Sequence, residues 1–177
     1  GECNIYNALA AIATGFSLGI ASSDIQDGLR DAKLLSNRYE VVEHEGATII
    51  NDSYNANPRS MQEALKTLAN YQCEGRRFFV VGDMLELGDL AEAAHASLGV
   101  DVARYSIDYL VVVGDLSVHV VKSAVASGLN KKQTATASDH KCAVSFLKKH
   151  VRAGDCLLVK GSRGARMEKV VEGFIAC

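Results

Sequence analysis

The sequence lacks most of the features that would assign it a class outright. No apolar run approaches the roughly 18 residues of a helical membrane span, and no signal-peptide pattern is present, so no membrane partner is expected. It lacks a basic excess: 19 Lys and Arg stand against 21 Asp and Glu, a net charge of −2, which argues against a nucleic-acid partner. The five cysteines are odd in number and never spaced as CxxC, so neither a disulfide framework nor a zinc site is indicated. Reduced thiols in a cytoplasm are the expectation. Cys142 and Cys156 lie in apolar patterns and are expected to pack in the core. Also missing are GxxxxGK[ST], a GxGxxG after a strand, GxSxG and HExxH. Without a phosphate cradle, this chain alone is not expected to hydrolyse a nucleoside triphosphate.

What remains is an ordinary globular composition, 48% hydrophobic and 23% charged over 177 residues, enough for one ample core and part of a second domain. The chain begins at Gly1 and runs almost at once into a helical pattern, so it reads as a piece of a longer protein. Ile5, Leu9, Ile12, Ala13 and Phe16 fall at helical spacing, and "SSDIQDGLRDA" opens a second short helix with a Ser or Asp cap. From Tyr39 the pattern turns to β, with two strands meeting at Glu45-Gly46. Strands and helices then alternate to the end. The runs "FFVV", "YLVVV" and "CLLV" are continuous rather than alternating, as in strands covered on both faces. The expected fold is α/β, a Rossmann-like, doubly wound and mostly parallel sheet preceded by a short helical segment. A boundary near Leu35 to Arg38 separates 1–36 from 37–177.

In such sheets ligands bind beyond the carboxyl ends of the strands, which selects the loops "NDSYNANP", "GDMLELGD", "GDLS" and "KGSRG". In the first, Asn57 before the single proline, Pro58, reads as a helix cap. One cap would suffice, so Asp52, Tyr54 and Asn55 are either turn residues or ligand contacts. A carboxylate there can accept from ribose hydroxyls, and an amide can match an adenine edge. In the last loop Lys160, Ser162 and Arg163 lie between a strand and a helix N-terminus, a setting for an anion. The bland alternative is a basic turn that neutralises Asp155 or Glu168. Asp83 and Glu86 could orient an ammonium or a metal but read first as helix-dipole carboxylates, and His95 reads as a polar-face or satisfied mid-helix histidine. No residue is assigned a catalytic or metal-ligating role.

The blocks "GECNIYNALAAIA", "NDSYNANPRSMQEAL", "VVGDMLELGDLAEAAH" and "LLVKGSRGARMEKVV" occur in this order. Together they resemble the carboxyl-terminal portion of a Mur ligase, specifically the MurF type. The resemblance implies a three-domain ligase that joins D-alanyl-D-alanine to UDP-N-acetylmuramoyl-tripeptide through an acyl phosphate, with ATP and Mg2+ bound mainly by a central domain. Residues 1–36 would then be the tail of that central ATPase domain, and 37–177 the third domain. The resemblance implies adenine contacts for Asn4 and Asn7, and ATP contacts for Arg38 and Asp52, Asp52 through the ribose. Tyr54, Asn55 and Asn57 belong to the same nucleotide-facing block. It places Lys160, Ser162 and Arg163 near the dipeptide or the phosphates, with Ser162 and Arg163 expected at the dipeptide carboxylate. Cys3 departs from the histidine usual before Asn4. Two rival readings remain, a stand-alone Rossmann or flavodoxin-like nucleotide-binding module and a scaffold fragment. An apolar patch on the Ile5–Phe16 helix favours the ligase portion over an independent module.

Overall fold

The computed structural model describes residues 2–32, 36–105 and 107–176, with the backbone alone for residues 2–4. Two compact units are present, Gly1–Leu35 and Ser36–Cys177. The first holds α1 (Glu2–Ser17) and α2 (Ser22–Asp31). Ala21 precedes α2 with no side-chain cap, so the expected Ser or Asp cap is not used. Gly15 is the close-approach point between the two helices, since a Cβ there would lie 2.8 Å from Cδ1 of Ile25.

The second unit is built on six strands: β1 (Glu40–His44), β2 (Ala47–Asp52), β3 (Arg77–Gly82), β4 (Tyr109–Val113), β5 (Thr134–Ala137) and β6 (Cys156–Lys160). They lie in the order β1-β2-β6-β3-β4-β5. β1 pairs antiparallel with β2, and every other pairing is parallel. The β1–β2 hairpin turns on Glu45 and Gly46, at φ +50 and +77, the left-handed pair that a two-residue turn requires. The helices of this unit are α3 (Pro58–Asn70), α4 (Ala91–Arg104), α5 (Val118–Ala126), α6 (His140–His150) and α7 (Glu168–Ile175).

Alternate side chains of each strand serve opposite faces, which explains the continuous apolar runs. Phe79, Val81, Leu110, Val112 and Leu158 pack with Met61, Leu65 and Leu68 of α3, Leu98 of α4 and Val120 of α5. Phe78, Val80, Val111, Leu157 and Val159 pack on the other face with Leu147 of α6 and Val170 and Phe174 of α7. The sheet is thus doubly wound, with α3–α5 on one side and α6–α7 on the other. Cys156 is fully buried, as expected, but Cys142 is exposed. The buried positions of α6 are Ala143 and Leu147, one turn apart, and Cys142 stands about 100° away from that stripe.

β6 is last in the chain yet lies between β2 and β3, so the order of winding reverses there. Asp52 is in register with Lys160 across β2 and β6, and Val81 with Lys160 across β3 and β6. The loops after β2, β3 and β6 therefore leave the sheet side by side at the switch point, where α/β sheets open a crevice.

Candidate functional site at the carboxyl edge of the sheet

The polar stretch after β2 divides into residues that face inward and residues that face out. Asn51 is buried, and its Nδ2 donates to Asn37 Oδ1 at 2.8 Å while its Oδ1 accepts from the Ser53 hydroxyl at 2.6 Å. The Tyr54 N–H donates to the Asn37 carbonyl at 2.9 Å. These bonds fasten the 36–39 turn, with Asn37 and Tyr39 at φ +63 and +54, against the start of the Asp52–Asn57 loop. A left-handed tyrosine is costly, and this network over-determines it. Burial pushes the Tyr39 hydroxyl pKa up, with Tyr71 adding to the effect. The consequence is that Arg38 lies over Tyr54, its guanidinium carbon 4.2 Å from the ring centroid.

Arg163 approaches the same ring at 5.8 Å. Two guanidiniums from opposite ends of the unit therefore converge on one exposed tyrosine. Asn55 is exposed, and its carbonyl accepts from Lys160 Nζ at 2.9 Å. Asn57 is a cap as expected. Its side chain accepts from Ser60 N at 2.9 Å, and the Ser60 hydroxyl accepts from Asn57 N–H at 3.0 Å, a reciprocal capping box.

The KGSRG segment also divides. Lys160 is buried, and Nζ donates to Asp52 Oδ2 at 2.6 Å as well as to the Asn55 carbonyl. Ser162 is buried too, with its hydroxyl donating to the Ala56 carbonyl at 3.2 Å and accepting from Leu85 N–H at 2.9 Å. The expectation that both would face a substrate meets a physical obstacle: the protons a ligand would need already serve neighbouring loops. Arg163 is the outward member, with 64% of its side chain exposed and a loose contact of 3.6 Å to Glu168. The helix-end argument for an anion does not carry over. α7 starts at Glu168, five positions beyond Arg163, and its first turn holds that acid. An anion here would meet the guanidinium alone.

Two roles of the GDMLELGD loop come from partners distant in sequence. Asp83 Oδ1 accepts from the N–H and the hydroxyl of Ser117, both at 2.7 Å, so it caps α5 rather than the helix that follows it. Gly114, at φ +119, makes room for this, since a Cβ there would meet the Asp83 carboxylate at 2.5 Å. His95 is fully buried and satisfied as expected: Nε2 accepts from Met84 N–H at 3.0 Å, and Nδ1 donates to the Ala91 carbonyl at 2.7 Å. Asn7 is exposed on α1, and the side chain of Asn4 lies outside the described residues. Among the described residues no group of three His, Cys, Asp or Glu side chains could hold a metal ion, and no helix is long and apolar enough to cross a membrane.

A doubly wound, mostly parallel sheet of this order, with arginines, an aromatic ring and a carboxylate gathered at its switch point, places the domain in the Rossmann-like α/β class. The comparisons narrow this. The family described as Mur ligase, glutamate ligase domain, matches residues 37–163, and the chain belongs to that family. It is 35% identical over 176 residues to the UDP-N-acetylmuramoyl-tripeptide–D-alanyl-D-alanine ligase of Bacillus subtilis, covering 99% of this chain and 38% of that protein. With the ligase of the same name from Escherichia coli the identity is 37%, over 98% of this chain and 37% of the relative. Among solved structures, MurF from Acinetobacter baumannii superposes with a TM-score of 0.88 at 31% identity, over all of this chain and 38% of that one. MurF from Thermotoga maritima, solved in complex with ADP, gives a TM-score of 0.74 at 29% identity, covering 92% of this chain and 35% of that one. The chain thus spans under two fifths of the length of the relatives it matches.

Proposed function

We propose that this chain is the carboxyl-terminal portion of an ATP-dependent ligase that adds D-alanyl-D-alanine to UDP-N-acetylmuramoyl-tripeptide in peptidoglycan synthesis, in the cytoplasm. The observation that carries this reading is the convergence of Arg38 and Arg163 on Tyr54, beside Asp52, at the mouth of the parallel sheet. Residues 1–36 would be the tail of the central ATPase domain and 37–177 the third domain. α1 supports that division. It exposes Ile5, Tyr6, Leu9 and Phe16, each more than half accessible, where a stand-alone nucleotide-binding module would present a polar end.

In this reading ATP activates the tripeptide carboxylate as an acyl phosphate, which the dipeptide amine then attacks. The residues here bind and orient. Asp52 keeps Oδ1 clear of protein hydrogen bonds among the described residues and can accept from a ribose hydroxyl. Arg38 reaches the nucleotide and Arg163 the dipeptide carboxylate, each with a planar fork suited to paired oxygens. Tyr54 offers a ring face beside them, and Asn55 an exposed side-chain amide. Asn57 stays a cap first. Asn4 and Asn7 would reach the adenine. Magnesium, when bound, spreads the charge of the phosphates, and the central domain would hold it.

The test is the KM of the full-length protein. Asp52→Asn is expected to raise KM for ATP roughly tenfold, one charge-assisted hydrogen bond, and to leave KM for the dipeptide within about twofold. An unchanged KM for ATP would remove Asp52 from the nucleotide site. The 177-residue chain alone is expected to show no ATP turnover, and measurable hydrolysis would contradict the division of labour.

A further inference from the structure

We infer that Lys160 is a positioning residue for Asp52, holding that carboxylate and its loop in place, and that it does not itself touch ligand. The inference rests on the nucleotide reading above. Lys160 ends the central strand β6, directly in register with Asp52 at the end of β2. Its ammonium has three protons and three acceptors at hand: Asp52 Oδ2 at 2.6 Å, the Asn55 carbonyl at 2.9 Å and, more loosely, the Asp52 carbonyl at 3.5 Å. The Lys160 side chain is only 4% exposed against 22% for Asp52, so the lysine lies beneath the carboxylate and the carboxylate faces the crevice.

The chemistry of burial makes this arrangement hard to undo. An ammonium held away from water is strongly unfavourable without its counter-charge, so Lys160 keeps Asp52 Oδ2 occupied. The other oxygen, Oδ1, is left for a ligand. The same strand end continues the grip two residues on, where Ser162 takes Ala56 and Leu85. Gly161 between them allows the strand end to close on β3, because a Cβ there would lie 3.1 Å from Gly82 Cα and 2.6 Å from Met167 Cγ. Arg163 is the first residue of the segment directed outward.

A double-mutant cycle on the full-length protein separates this role from direct binding. Lys160→Met and Asp52→Asn are each expected to raise KM for ATP roughly tenfold, and the double variant no more than either alone. A double variant near a hundredfold would mean that Lys160 acts on the ligand independently, and it would overturn the inference. If Asp52→Asn alone leaves KM for ATP unchanged, the nucleotide reading fails rather than the positioning role. Melting temperature gives a readout independent of activity. Asp52→Asn strands a buried ammonium, so adding Lys160→Met is expected to restore stability, whereas two additive losses would contradict the pairing. If Lys160→Met does not fold, Lys160→Gln, which keeps a donor for Asn55, takes its place in the same cycle. Where Asp52→Asn does raise KM for ATP, no effect of either Lys160 variant on it would also refute the role.

Discussion

Asp155 immediately precedes β6 at the opposite edge of the sheet, and its removal is expected to destabilise the fold. Its carboxylate is 3% exposed and accepts from the Arg76 guanidinium at 2.7 and 3.3 Å, from Arg76 N–H at 2.8 Å and from Arg152 N–H at 2.8 Å. Asp155→Ala leaves two backbone donors and a guanidinium without their acceptor. Breaking a fully buried pair costs about 3–5 kcal/mol, but the Arg76 side chain is 36% exposed and can turn to water, which discounts its share. About 3 kcal/mol remains, mostly from the orphaned N–H groups. At this chain length that is a fall in Tm of roughly 6–12 °C.

The pH dependence has a definite sign. Burial pushes the Asp155 pKa up, yet the hydrogen bonds from Arg76 and from the Arg152 backbone outweigh it, and the net direction is downward. A carboxylate with a depressed folded pKa contributes its stability fully above the unfolded value, about 3.9, and loses it as pH falls through the folded value. Urea denaturation of the wild-type and Asp155→Ala chains should therefore show the full difference at pH 7 and a smaller one at pH 3. A difference below about 1 kcal/mol at pH 7, or an equal difference at both pH values, would refute the reasoning.

Other outcomes follow from single residues. Burial, with a smaller contribution from Cys73, pushes the Cys156 thiol up to about 12, whereas Cys142 is exposed. A thiol reagent at pH 8 followed by peptide mapping should label Cys142 in the native chain and Cys156 only on unfolding, and equal labelling would contradict the packing. His95→Ala should cost about 3 kcal/mol in urea denaturation, by opening a cavity and orphaning Met84 N–H, and a loss below 1 kcal/mol would show that the loop is held otherwise. Asn57→Ala should cost about 1 kcal/mol through the lost cap, with Asn57→Ser close to neutral in the same assay.

The sheet was legible because its central strands β3, β4 and β6 are unbroken apolar runs that alternate with helical patterns, as local burial on two faces requires. The edge hairpin was legible from Glu45-Gly46. The site was legible as a place, since the switch point follows from strand–helix alternation, but not as a division of labour among its residues. Asp83 reads locally as an acid near α4, and its partner Ser117 lies on another loop. Asn51 carries no sequence signal of its own, yet it brings Arg38 to Tyr54 by holding Asn37. Lys160 and Ser162 read as ligand contacts because they lie between a strand and a helix N-terminus, a setting for an anion. Their spacing of two at the end of a buried strand was the available signal, since it puts both on one face over Leu158 and the core beneath α3. Cys142 was misplaced for a simpler reason, that a short helix buries one narrow stripe and a shift of one residue leaves it.

As proposed above, the arginine–tyrosine edge beside Asp52 would form one side of a nucleotide pocket completed by another domain. The most direct measurement is KM for ATP and for D-alanyl-D-alanine in the full-length Arg38→Ala protein, with Tm as a control, because Arg38 is exposed and its loss should leave the fold intact. KM for ATP is expected to rise about tenfold, with KM for the dipeptide within about twofold and Tm unchanged. An unaltered KM for ATP in a stably folded variant would contradict the proposal.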